Sequence, residues 1–242
     1  MLFRSRPKQV KPLEVIECLL THRDLDTDPD EGDDLGRYRH LQAMIEAYAG
    51  ASRMISADSP LHASLGAATR DRFISEVERD HACVRRLGPR GQTLLHDTAL
   101  VGEAELAAVL IRSGADPDAK EGQGHTPLYR ASTGEVARVL LAAGAAPDVA
   151  SGPTQGTALH QASRHGSVSV VQALLEHGAT IDAPDAKGQT PLRRAVNCRR
   201  PEIVRLLVQH GADPHLADRR GVAPIDVAHT DEMKRALAGA GA

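Results

Sequence analysis

The sequence predicts an all-α solenoid, in which stacked helix-turn-helix units joined by hairpin fingers follow an N-terminal helical extension. Three observations predict it. A short motif recurs as Gly91-Gln-Thr-Leu-Leu-His96, Gly124-His-Thr-Pro-Leu-Tyr129, Gly156-Thr-Ala-Leu-His160 and Gly188-Gln-Thr-Pro-Leu-Arg193, with a weaker copy at Gly221-Val-Ala-Pro-Ile-Asp226. With Thr93, Thr126, Thr157, Thr190 and Ala223 taken as equivalent, the steps are 33, 31, 33 and 33 residues. A second marker keeps the same register. Gly114-Ala115, Gly178-Ala179 and Gly211-Ala212 each begin 21 residues after their Thr, whereas Gly144-Ala145 begins only 18 after Thr126. The second unit is therefore three residues short, and one extra residue before Thr157 gives the step of 31. The third observation is helical spacing of apolar residues ahead of the Gly-Ala marker, as in Val170, Val171, Leu174 and Leu175, or Ile203, Val204, Leu206 and Leu207. A fixed period of this length marks a repeat architecture.

Taken in chain order, residues 1–58 read as the extension. Pro12 to Arg23 and Leu35 to Tyr48 form helical patterns, the second with Leu41, Met44, Ile45 and Tyr48 on one face. Between them lies an acidic loop with Asp24, Asp26, Asp28, Asp30, Glu31, Asp33 and Asp34. Residues 59–90 read as a degenerate capping unit, because Ser59-Pro-Leu-His62 echoes the repeat start and Phe73, Ile74 and Val77 form a short stripe. Residues 91–242 hold four repeats and a truncated C-terminal cap, in which Asp231 to Ala238 suffices for one clipped helix.

Within a repeat, each residue type has a physical role. The Thr is a helix N-cap whose hydroxyl accepts an orphan backbone N–H. Pro127, Pro191 and Pro224 fall at the first helical position, where a missing N–H is harmless. Leu95, Leu128, Leu159 and Leu192 point inward, and Ala99, Ala131, Ala162 and Ala195 let neighbouring helices approach. Gly102 and Gly166 suit a turn of positive φ between the two helices. The fourth unit has Arg199-Arg200-Pro201 there instead.

The period, the Thr-Pro-Leu-His type of start and the closing Leu-Leu-x-x-Gly-Ala resemble the ankyrin repeat, over about residues 91 to 238. The resemblance implies a non-enzymatic protein-interaction module that binds through fingertips and a concave helix surface, with no shared ligand. It also implies that the motif His bridges backbone between fingers. His96 and His160 retain it, while Tyr129, Arg193 and Asp226 replace it, which questions those bridges in the second, fourth and fifth units.

Composition excludes several functions. Aromatics are 2% of the 242 residues, and the net charge is −3. That argues against base stacking and against the basic footprint of a nucleic-acid binder. No apolar run approaches a membrane span, and the stretch Leu13 to Leu20 is broken by Glu14 and Glu17, so it makes a poor secretory signal. Cys18, Cys83 and Cys198 are far apart, which fits a reducing cytoplasm better than a disulfide framework. The acidic loop fails as a calcium-binding EF-hand: read from Asp24 or Asp26, its sixth place holds Pro29 or Glu31 and its twelfth Leu35 or Arg37. The histidines are motif residues, helix-end residues such as His177 and His210, or scattered, as His165, His215 and His229 are, without ligand spacing. No catalytic motif is present, so neither cofactor nor metal is expected.

The recognition surface is therefore expected among residues that vary between units. Along the groove these are Asp97, Arg130, Arg164, Arg193, Arg194 and Arg199; at the fingers they are Lys120, Glu121, Gln123, Gln155, Asp185, Lys187, Arg219 and Arg220. Between Thr190 and Arg220 seven arginines face only Glu202, Asp213 and Asp218. Arginine bonds carboxylates bidentately, so an acidic segment of a partner protein is the expected ligand. The chain's own acidic loop is an intramolecular alternative. Three roles are open at this stage: a monomeric cytoplasmic adaptor or scaffold, a dedicated inhibitor such as the immunity partner of a bacterial toxin, or an enzyme with its chemistry in residues 1–90.

Overall fold

A computed structural model describes residues 34–54 and 60–238, with side chains for 35–46 and 70–238. The expected helix at Pro12 to Arg23, the acidic loop through Asp33, and Ser59 lie outside the described residues. Helices α1 (Asp34–Met54) and α2 (Pro60–Arg79) precede a 3₁₀ turn, His81–Arg85. Four helix pairs follow: α3 (Leu94–Val101) with α4 (Ala104–Arg112), α5 (Pro127–Arg130) with α6 (Gly134–Ala142), α7 (Ala158–His165) with α8 (Val168–Glu176), and α9 (Pro191–Asn197) with α10 (Pro201–Gln209). A 3₁₀ turn at Ile225–Val227 and helix α11 (Asp231–Ala238) close the array. Among the described residues there is no strand. The fingers are chains of turns, with one isolated antiparallel bridge between Ser151 and Gly156.

The helices stack in two rows. The inner row runs α1, α3, α5, α7, α9, and the outer row α2, α4, α6, α8, α10, α11. At the head of the array, the span expected as a degenerate capping unit, residues 59–90, holds helix α2 and the His81–Arg85 turn. Helix α2 is uninterrupted, and its pair is α1, which packs on α3 as α2 packs on α4. The stripe of Tyr38, Leu41, Met44 and Ile45 on α1, with Phe73 and Val77 on α2, is buried there. An apolar face this wide has to be covered, so the Leu35–Tyr48 pattern joins the solenoid.

Leu95, Leu128, Leu159 and Leu192 are at most 1% exposed. Each contributes about 1.5–3 kcal/mol through burial. Ala99, Ala162 and Ala195 are buried as expected. Ala131 is only half-buried, because α5 ends at Arg130 and leaves Ala131 as its cap. The three missing residues of the second unit are thus taken from its inner helix.

Polar groups tie each unit to the next. Asp118, Asp148 and Asp182 accept the backbone N–H groups of Ala146, Thr180 and Asp213 at 3.1, 2.9 and 3.1 Å. His96 accepts the Thr93 N–H on Nδ1 (3.2 Å) and donates from Nε2 to the His125 carbonyl of the next finger (3.0 Å). His160 repeats this with Thr157 (3.1 Å) and Gln189 (2.9 Å). Burial pushes both imidazole pKa values below the ordinary one, despite the backbone bonds that oppose it. In the second and fourth units the Thr hydroxyl caps the helix, accepting from Tyr129 N and Arg193 N. In the fifth, Pro224 opens the 3₁₀ turn, and Asp226 accepts the Ala223 N–H at 2.8 Å. Half of the histidine's function survives there.

In three of the four pairs the turn between helices uses a left-handed residue. Gly102 and Gly166 supply it at φ +96° and +85°, and in the fourth unit Arg199 adopts φ +53°. A Cβ in that region costs about 1–2 kcal/mol. Replacement Arg199→Gly should therefore raise the free energy of unfolding in urea by about 0.5–1 kcal/mol, after the entropy that glycine adds to the unfolded chain. An unchanged or lowered midpoint would refute the strain. A histidine with a folded pKa below its unfolded value stabilises fully above the unfolded pKa, and the contribution declines as pH falls below it. The urea midpoint should accordingly fall from about pH 6.5 downward. The double variant His96→Gln, His160→Gln should be less stable at pH 7.5 and show a flatter pH dependence. Parallel pH profiles for the two proteins would contradict this.

Candidate protein-binding groove

The inner helices and the fingers form two walls of a groove, and the expected binding residues divide sharply along it. Eight are exposed: Lys120, Gln123, Gln155, Arg164, Lys187, Arg199, Arg219 and Arg220. The other six are consumed by the fold.

Asp97 is buried because α1 covers this side of α3, and it accepts a short hydrogen bond from the Tyr38 hydroxyl. Burial, then the Tyr38 contact, sets the pair's titration: it raises the Tyr38 phenol, and it raises the Asp97 carboxyl despite the hydrogen bond. Glu121 and Asp185 stand at the same place in their units, five residues before Thr126 and Thr190. Arg130 and Arg194 stand four residues after those threonines. Each arginine reaches back to its own finger: Arg130 Nη2 lies 2.6 Å from Glu121 Oε1, and Arg194 Nη2 lies 2.6 Å from Asp185 Oδ2. Glu121 also accepts from His125 Nδ1 (2.7 Å), and Asp185 accepts the backbone N–H groups of Lys187 and Gln189. Burial alone would raise both carboxyls, but these donors outweigh it and hold both below the usual carboxylate range. Arg193 is buried too, bonded to Asn197 (3.1 Å) and 3.9 Å from Asp218 of the next finger. The expected groove residues Asp97, Arg130, Arg193 and Arg194 are thus engaged within the fold, as are the finger residues Glu121 and Asp185, whose carboxylates Arg130 and Arg194 neutralise.

The basic stretch after Thr190 breaks up for the same reason. Arg205 lies on the outer row and pairs with Glu232 at 3.6 Å. Among the described residues, Arg164, Arg199, Arg200, Arg219 and Arg220 have no carboxylate within salt-bridge distance. Arg200 Nε donates to the Arg164 carbonyl (3.3 Å), so the two chain segments adjoin. His165 beside them titrates below its ordinary value, first through burial and then through the positive charges of Arg164 and Arg200.

The groove holds a depression beside the short second unit. It measures about 350 Å³ and is lined by Leu100, Tyr129, Ala131, Ala162 and His165, among others. A second, of about 270 Å³, lies between the second and third fingers and shares His125, Tyr129 and Gln161 with the first. Tyr129 replaces the motif histidine, and its ring stacks on His125 at 4.5 Å with a 12° interplanar angle. Backbone bonds join fingers at Gly122 to Arg90, Ala186 to Thr154, and Arg219 to Lys187. Among the described residues no such bond joins the second and third fingers.

The ankyrin-repeat profile matches residues 90–121, and a three-copy profile of the same repeat matches residues 135–218. The chain belongs to the ankyrin-repeat family. Over 120 residues it is 30% identical to NF-kappa-B inhibitor alpha from Sus scrofa, covering 46% of this chain and 38% of that protein. It is 32% identical over 105 residues to SH3 and multiple ankyrin repeat domains protein 2 from Homo sapiens, covering 42% and 6%. It is 33% identical over 112 residues to Rabankyrin-5 from Mus musculus, covering 46% and 8%. The matched ankyrin stretch thus spans well under half of each relative's length.

Among the described residues no group of three His, Cys, Asp or Glu side chains converges on a possible metal site, and no helix is long and apolar enough to cross a membrane. Burial pushes the Cys83 thiol up to about 11, which leaves it a poor nucleophile. Cys198 is half-buried at the end of α9.

Replacing Asp185 with Ala should lower stability by about 2–3 kcal/mol, since it leaves Arg194 and two finger N–H groups unpaired. Lys187→Ala, on the exposed tip beside it, should stay within about 0.5 kcal/mol of wild type. Equal unfolding midpoints for the two variants would show that the finger carboxylate is dispensable.

Proposed function

We propose that the chain is a non-enzymatic protein-interaction module, an adaptor or scaffold that holds an acidic segment of a partner protein in the ankyrin groove. One observation carries this reading. Among the described residues, Arg164, Arg199 and Arg200 at the inner helices, with Arg219 and Arg220 at the last finger, have no carboxylate within salt-bridge distance, while the cations next to them are neutralised from within. Unneutralised arginines cost the fold nothing in water and offer bidentate bonds to an incoming carboxylate.

A second reading has support of its own. The relatives named NF-kappa-B inhibitor alpha suggest that the groove masks a working surface of its partner, which makes the module an inhibitor. The two readings differ in consequence: an adaptor leaves its partner's activity unchanged, and an inhibitor abolishes it.

The test is affinity capture from native lysate with wild type and with the double variant Arg164→Glu, Arg199→Glu. The variant should fold normally and retain captured partners at least about tenfold less well at low salt, and added salt should weaken the wild-type complex. Reversing Arg138 and Arg205 on the outer row is the control and should leave capture intact. Undiminished capture by the groove variant would remove the proposal.

A further inference from the structure

The short second unit makes a pocket where the other units have helix. Helix α5 has four residues, against eight in α3 and α7 and seven in α9. The missing turn uncovers Leu100 on the preceding inner helix, which is 49% exposed at the pocket wall. Ala131 and Ala162 form much of the apolar remainder, and the Tyr129 ring, stacked on His125, adds a flat aromatic side. Stacked rings of this kind favour another aromatic ring laid against them, or set edge-on to them.

The charge of the rim is one-sided. The linings of the two joined depressions include Arg130, Arg164, Arg194 and three histidines and contain no acidic side chain. Glu121 and Asp185, the nearest carboxylates in the fingers, are bonded to Arg130 and Arg194. Among the described residues no carboxylate pairs with Arg164 at the rim, and Arg200 lies against its backbone.

We propose that the depression beside α5 is an anchor pocket for an extended acidic peptide of a partner protein, which inserts one aromatic side chain between Leu100 and Tyr129 and lays flanking carboxylates against Arg164 and Arg200. This rests on the groove-binding reading and names the chemistry of its ligand. A cavity of about 350 Å³ is at the small end of ligand sites and suits a single bulky side chain. The apolar wall supplies affinity and the arginines supply orientation, so neither an acidic segment without the ring nor an aromatic peptide without the acids satisfies the site.

The probe is a phage-displayed library of random dodecapeptides, panned on the full chain. The expected consensus is one Trp, Phe or Tyr flanked by several Asp or Glu. The selected peptide, labelled and titrated by fluorescence anisotropy, should lose at least tenfold in affinity when its aromatic residue becomes Ser. It should lose as much on the variants Leu100→Glu and Arg164→Glu, whose circular dichroism and urea midpoints verify folding. Arg138→Glu on the outer row should leave it within twofold. If acidic peptides are selected and Arg164→Glu abolishes them, yet the aromatic residue and Leu100→Glu are without effect, the pocket is refuted and the groove reading stands. If the consensus is basic or no peptide is enriched, both fall. A peptide of residues 24–34, which has no aromatic residue, should bind at least tenfold more weakly than the selected one. Equal binding would refute the pocket and give the groove to the chain's own acidic segment. Self-association abolished by Leu100→Glu would refute it in favour of a second copy.

Discussion

No unit of this chain can cover its own helices. The inner leucines at 95, 128, 159 and 192 are sealed only because a neighbouring pair lies against them. Register between units is the constraint on which everything else depends. A solenoid of this kind holds its stability in unit and interface terms, and its two ends must be closed by something that is not another repeat. At the head this is the α1–α2 pair, and at the tail it is α11, whose Met233, Ala236 and Leu237 are buried toward the array.

Polar groups obey the same register. The aspartates at 118, 148 and 182 each satisfy a backbone N–H one unit ahead, and the histidines at 96 and 160 span to the next finger. Where the histidine is replaced, the consequences differ by residue. Asp226 keeps the local bond, Arg193 turns toward Asn197 and Asp218, and Tyr129 leaves the scaffold role and faces the groove. Different residues at one equivalent position thus yield a cap, a buried cation and an aromatic ring lining the groove.

Most of the repeat architecture was legible in the sequence, because its signals are local and recur: the capping Thr, the inward Leu, the Gly-Ala stop. The three missing residues of the second unit were legible as well, but not their consequence, since a shortfall in a count does not say which helix gives way. The groove was harder. Arg130 and Arg194 look like free cations when read singly, and only the paired recurrence of Glu121 and Asp185 nine residues earlier marks them as internal braces. That pairing was available in the sequence at two equivalent places. The burial of Asp97 was not, because it depends on α1 reaching α3 from a part of the chain with no repeat signature.

The missing link between the second and third fingers has a mechanical meaning. At that junction the outer helices α6 and α8 pack closely, and Asp118 accepts the Ala146 N–H at the base of the fingers, while among the described residues no backbone bond joins the two fingertips. The array is hinged there like a book bound only at its spine. Its free margin can spread by rotation about α6 and α8 without breaking any backbone bond between those tips, and the opening falls on the Tyr129 depression.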